Sequence, residues 1–150
     1  MKRWPFAGVA ALAVSLAFAA CQDGEEARSR AQGETPAAGG TLVRVELDEW
    51  SVTPDETSAP AGPVTFVAEN RGSMRHDLVV IKTHLVPEAL PVSAANVDEE
   101  EAGRVVGVIK KFPPLLERSA TFDLPAGKYV LICNVAGHYR QGMFAAMEIQ

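Results

Sequence analysis

Near the C-terminal end of the chain a thiol, an imidazole and a thioether follow one another at even spacing: Cys133, His138 and Met143, within Leu131-Ile132-Cys133-Asn134-Val135-Ala136-Gly137-His138-Tyr139-Arg140-Gln141-Gly142-Met143. The whole sequence holds only 2 cysteines and 3 histidines, so this concentration of soft donors is selective. Thiolate, thioether and imidazole suit copper, and a trigonal His₂Cys set with a long axial Met is the ligand arrangement of blue-copper electron transfer. A second imidazole has to come from elsewhere. His76 is the obvious donor, at the head of the apolar run Leu78-Val79-Val80-Ile81, which reads as a buried strand.

Cys133-x4-His138-x4-Met143, with His76 upstream in Asn70-x-Gly72-x3-His76, resembles the cupredoxin family. The gap between Cys133 and His138 looks most like the sulfocyanin and rusticyanin branch, plastocyanin-like proteins having a shorter one. The resemblance runs from Thr41 to Gln150. It implies a single copper ion bound by His76, Cys133 and His138, with Met143 as the long axial ligand, in a mononuclear type 1 centre that cycles between Cu(I) and Cu(II). Met74, close before His76, is the other thioether to consider, and the family pattern puts the axial ligand in the Cys loop instead. The family also usually carries an Asn after the upstream His, hydrogen-bonded across to the ligand loop. Here that place is Asp77, and a carboxylate beside a thiolate calls for a partner such as Arg75 or a backbone amide.

The elements that must position these residues read from the pattern of the chain. Met1-Lys2-Arg3 is followed by an apolar, Ala-rich stretch from Phe6 to Ala20, about fifteen residues, too short to span a membrane as a helix and suited to a signal peptide. It ends Phe18-Ala19-Ala20-Cys21, which resembles a bacterial lipobox and implies a leader over 1–20 and a lipidated Cys21. Gln22 to Gly40 is rich in Glu, Ala, Gly and Arg without apolar periodicity and reads as a flexible tether. The domain is expected over 41–150. Val43, Val45 and Leu47 alternate with charged residues as a first strand, which Glu49 to Pro54 would continue. Trp50 there reads as packing. Val64-Phe66-Ala68, Leu78–Ile81, Val105–Ile109, Ala120-Phe122-Leu124, Lys128–Cys133 and the stretch from Met143 to Ile149 follow as further strands, with turns at Ala59–Pro63 and Pro125–Gly127. The fold class is therefore all-β, a Greek-key sandwich of about seven or eight strands. An insertion over 84–117 is the least legible part. Ser93–Gly103 reads there as one short helix whose acidic run Asp98-Glu99-Glu100-Glu101 faces water, and His84 as a surface or turn residue.

Counting donors prunes the alternatives. A dinuclear CuA centre needs two loop cysteines, and only Cys133 lies in the domain; multicopper enzymes need further histidines, and only His84 is left over. No nucleophile–base motif suggests a hydrolase. The chain is expected to be an electron carrier and no enzyme, with a copper-holding or copper-donor protein serving a membrane cuproenzyme as the competing reading. A net charge of −5 with no basic stripe argues against nucleic acid. Redox proteins are the expected partners, docking where Arg71, Arg75 and Arg140 make the copper end less acidic. A monomer, tethered outside the cytoplasm by its lipid anchor, is expected.

Overall fold

The structure, a computed structural model, describes residues 40–150. The leader, Cys21 and all but the last residue of the tether lie outside the described residues.

The first strand, β1 (Thr41–Asp48), does what its alternation dictates: Val43, Val45 and Leu47 are buried while Arg44, Glu46 and Asp48 face water. Glu49 to Pro54 does not extend it. The chain reverses at Glu49-Trp50, where the Asp48 carboxylate accepts the Glu49 N–H (2.8 Å), and β2 (Ser51–Pro54) returns antiparallel with Val52 opposite Leu47. The buried phase shifts by one residue across the reversal, from Val43, Val45 and Leu47 to Val52, and a single buried position after it is too little to mark a turn in the hydrophobicity.

After β3 (Ser58–Ala59), β4 (Gly62–Asn70) and β5 (His76–Lys82) come a small hairpin of β6 (Val92–Ser93) and β7 (Asn96–Val97), one helical turn α1 (Glu99–Ala102), and the strands β8 (Arg104–Phe112), β9 (Glu117–Leu124), β10 (Gly127–Ile132) and β11 (Phe144–Ile149). One sheet has the order β2-β1-β4-β9 and the other β3-β11-β10-β5-β8. β1 and β4 run parallel, as do β3 and β11; the remaining pairs are antiparallel. The result is the all-β sandwich expected. Its core joins Val43, Val45, Leu47, Phe66 and Ala68 of the first sheet to Leu78, Val80, Leu131 and Met147 of the second. Each of the Val, Leu, Phe and Met side chains among them contributes about 1.5–3 kcal/mol by leaving water.

The insertion holds the short capped helix expected, but only as the single turn α1, not over the whole of Ser93–Gly103. Ser93–Gly103 is a hairpin followed by a single turn of helix, because Ala94 takes a left-handed φ of 52° at the hairpin's bend. Asp98 caps that turn, accepting from the N–H groups of Glu100 and Glu101, which are exposed, whereas Glu99 is half-buried. Leu90, Val97 and Ala102 of the insertion cover the outer face of the second sheet, where Val79, Ile81, Val130, Ile132 and Tyr139 form a second apolar cluster. β5 is thereby buried on both faces, which is why its sequence is a continuous apolar run rather than an alternation.

Candidate metal centre

The sandwich brings His76, Cys133 and His138 to one point. His76 is the first residue of β5, beside a bulge in the pairing of β5 with β8 between His76 and Leu78. Such a bulge re-aims the side chains next to it. Cys133 follows the last residue of β10, and its N–H donates to the Met143 carbonyl (3.0 Å), closing the loop that carries His138. Within that loop the His138 N–H donates to Val135 O (2.9 Å), and Tyr139–Gln141 makes one tight turn. Gly137 (φ 84°) and Gly142 (φ 116°) take left-handed conformations on either side of it, and so let a short loop turn inward twice. At Gly142 a side chain would also crowd the Trp50 carbonyl, 3.2 Å from where a Cβ would stand.

His76 Nδ1 lies 3.1 Å from His138 Nδ1, and Cys133 Sγ lies 3.6 Å from the first and 3.5 Å from the second. A point in the plane of these three atoms is about 2 Å from each, the distance at which imidazole nitrogen and, slightly farther out, thiolate sulfur bind a first-row metal ion. His76 and Cys133 are fully buried and His138 is 3 % exposed. Glu49 Oε1 stands 2.9 Å from His76 Nε2. The Ser73 N–H bond, above all, holds Glu49 down at about 2, so its carboxylate is ionised and can only accept. His76 Nε2 therefore carries the proton, and its Nδ1 presents a lone pair to the other two donors. The three donors stand close enough to share protons among themselves or to close on one cation, and the donor set fits copper.

The electrostatics agree. Burial, then the neighbouring Asp77, pushes the Cys133 thiol up to about 12, so the sulfur stays protonated unless a cation replaces the proton. Burial and then His76 lower the pKa of His138, favouring the neutral imidazole that ligates metals. Burial raises that of Asp77, against which the Asn134 N–H donates to its Oδ1 (2.7 Å). A backbone amide, not Arg75, is the partner this carboxylate needs, and the bond ties the start of β5 to the residue after Cys133.

Met143 is fully buried in the same core cluster as Cys133, whereas Met74 is 43 % exposed. His84 is exposed and is no part of the cluster of donors. Arg71 is engaged with Glu46 (2.9 Å) and Glu69 (3.1 Å), while Arg75 and Arg140 have no ion pair among the described residues. Cys21 lies outside them.

Three supports of the site were given no such role from the sequence. Glu49 and Trp50, adjacent in the β1–β2 turn, touch one imidazole each: Glu49 holds His76, and the Trp50 ring meets His138 edge-on with centroids 5.0 Å apart. Asn70, fully buried, shapes the approach to His76 by donating to Met74 O (2.8 Å) and accepting from the Gly72 N–H (3.1 Å). The insertion grips the ligand loop: Asn134 accepts from the Val97 N–H (2.7 Å) and donates to Glu99 (2.7 Å), and the Gly137 N–H donates to Ala95 O (2.7 Å). Tyr139 completes the grip, its hydroxyl accepting from the Leu90 N–H (2.9 Å) and donating to Pro87 O (2.7 Å). The Asn70-x-Gly72 signal was visible in sequence; the others had none.

No protein-family model matches the chain, and no curated protein matches it by sequence. Solved structures do. Dithionite-reduced auracyanin from the photosynthetic bacterium Roseiflexus castenholzii is 20 % identical, over 74 % of this chain and 96 % of that one, with a TM-score of 0.53. Auracyanin A, a "blue" copper protein from Chloroflexus aurantiacus, is 21 % identical over 75 % of this chain and 100 % of that one, TM-score 0.53. Rusticyanin from Thiobacillus ferrooxidans is 18 % identical over 76 % of this chain and 79 % of that one, TM-score 0.50. These likenesses show the fold, the cupredoxin β-sandwich.

Proposed function

We propose that this cupredoxin-fold chain is a mononuclear type 1 copper protein that carries electrons outside the cytoplasm, held at a membrane by lipid on Cys21. The observation that carries the reading is the buried triangle of His76 Nδ1, His138 Nδ1 and Cys133 Sγ, with sides of 3.1, 3.5 and 3.6 Å. His76, Cys133 and His138 would hold one copper ion, with Met143 as the axial thioether. Bound there, copper supplies a one-electron couple.

The chain's own contribution is to keep the donors where they are. His76 and Cys133 stand at the ends of two adjacent strands, β5 and β10, which pair through Leu131↔Val80 and Ile132↔Val79. Trp50, Asn134 and Tyr139 restrict the loop that carries His138. Burial excludes water from all three donor atoms. A site so fixed rearranges little when its charge changes by one, which favours rapid electron exchange. Arg75 and Arg140, exposed beside the two histidines and without an ion pair among the described residues, offer an acidic redox partner two charges.

The leader sequence supports the location and the anchor. The copper-donor reading differs in what must move: a donor surrenders the ion, and so needs mobile, accessible ligands. The buried, braced donor set favours the carrier. Two rates on the copper-loaded protein decide between them, electron exchange with a small redox reagent and Cu(I) transfer to a competing chelator. Fast exchange with slow transfer is expected; ready loss of Cu(I) with sluggish exchange would establish the donor instead.

A further inference from the structure

The carboxylate of Glu49 is committed on every side. Its two oxygens accept from the Ser73 N–H (2.9 and 3.0 Å) and the Met74 N–H (2.9 Å), and Oε1 also meets His76 Nε2 at 2.9 Å. Gly72 makes room for it, since a Cβ there would overlap the carboxylate. The side chain is 20 % exposed and the imidazole it holds 0 % exposed, so the charge acts where solvent screens it weakly. Among the described residues no lysine or arginine pairs with it. Its one strongly polarisable neighbour is therefore the ring whose other nitrogen faces Cys133 and His138.

Resting on the copper reading above, we propose that Glu49 is a positioning residue for the metal: it fixes the tautomer and angle of His76 and biases bound copper toward the oxidised state. The reasoning has two independent parts. A carboxylate that accepts from Nε2–H leaves Nδ1 as the metal-facing lone pair and makes it more basic, the carboxylate–histidine–metal arrangement. A fixed negative charge near the site also stabilises the more highly charged ion, Cu(II), over Cu(I), and so lowers the reduction potential. A purely structural Glu49, pinning only the loop at Ser73 and Met74, would do neither.

The test uses Glu49→Gln, which keeps the shape and an acceptor oxygen but removes the charge, and Glu49→Ala, which removes both. Outer partners of metal-bound histidines change metal affinity by about 10- to 100-fold; a tenfold loss of preference for Cu(II) over Cu(I) raises a one-electron potential by about 59 mV. Glu49→Gln should show a rise of that order with its charge-transfer colour kept. In the metal-free protein, nitrogen NMR should find His76 protonated at Nε2, and Glu49→Ala should make the ring a mixture of tautomers. An unchanged potential in Glu49→Gln, or the same His76 tautomer in metal-free wild type and Glu49→Ala, overturns the proposal. If the wild type fails to form a coloured copper complex, the copper reading fails, and the tautomer measurement still judges Glu49 alone.

Discussion

At the scale of single residues the site is a contest between burial and charge. Cys133, His76 and His138 could each be hydrated more cheaply at the surface, and their convergence in the interior sets three metal-binding donor atoms within reach of one cation. Their types and spacing were legible in the sequence because soft donors are scarce in this chain. Glu49 was not, because a glutamate after an amphipathic strand looks the same as Glu46, which faces water and pairs with Arg71. The two methionines were legible as candidates, and burial separates them, since Met143 is enclosed and Met74 is 43 % exposed. A long axial bond adds little affinity but tunes the couple. Voltammetry should therefore find the potential lowered in Met143→Gln with copper retained, and unchanged in Met74→Leu. Control of the potential by Met74 would reverse the axial assignment.

At the scale of elements, regular strands were readable and their interruptions were not. The alternation in β1 and the apolar run of β5 follow directly from which faces are buried, one in the first case and two in the second. The reversal at Glu49-Trp50 shifts the buried phase by one residue between Leu47 and Val52, too brief a mark to read as a turn, and it is this turn that supplies a contact to each imidazole. The insertion was opaque for a related reason: its hairpin and single helical turn are too short to show a period, and its role lies in hydrogen bonds to a distant loop. Tyr139 is the clearest of these. Replacing it with Phe keeps the ring against Phe144 but leaves the buried Leu90 N–H without an acceptor. An orphaned buried donor costs about 1–3 kcal/mol, and urea unfolding of the metal-free Tyr139→Phe protein should show a loss of that size. Unchanged stability would mean that the insertion does not brace the ligand loop.

At the scale of the whole molecule, a two-sheet sandwich does two jobs with one core. The side chains that join the sheets, from Val43 and Phe66 to Leu131 and Met147, also fix the strand ends from which His76 and Cys133 project. The fold class was legible because strands with turns between them admit few packings. Strand partnering was not, since the parallel pairing of β1 with β4 joins segments separated by β2 and β3. The proposed anchor belongs to this scale, because a lipid on Cys21 would set where the domain works. With Cys21→Ala, the protein should leave the membrane fraction or remain unprocessed on fractionation of cells that export it. Undiminished membrane retention would remove the lipid from the account.

The central claim is that Cys133 and the two imidazoles take one copper ion. Titration of the metal-free protein with Cu(II), followed by visible absorption, tests it most directly. An intense thiolate-to-copper band should grow linearly and stop at one equivalent. Burial holds the Cys133 proton until pH is about 12, so loading must displace it. Below that pH the apparent affinity should weaken about tenfold for each unit by which pH is lowered, protons competing for the sulfur. Cys133→Ser should give no such band at any copper concentration. An intense band that persists in Cys133→Ser, or a wild type that takes up copper without colour, would contradict the account.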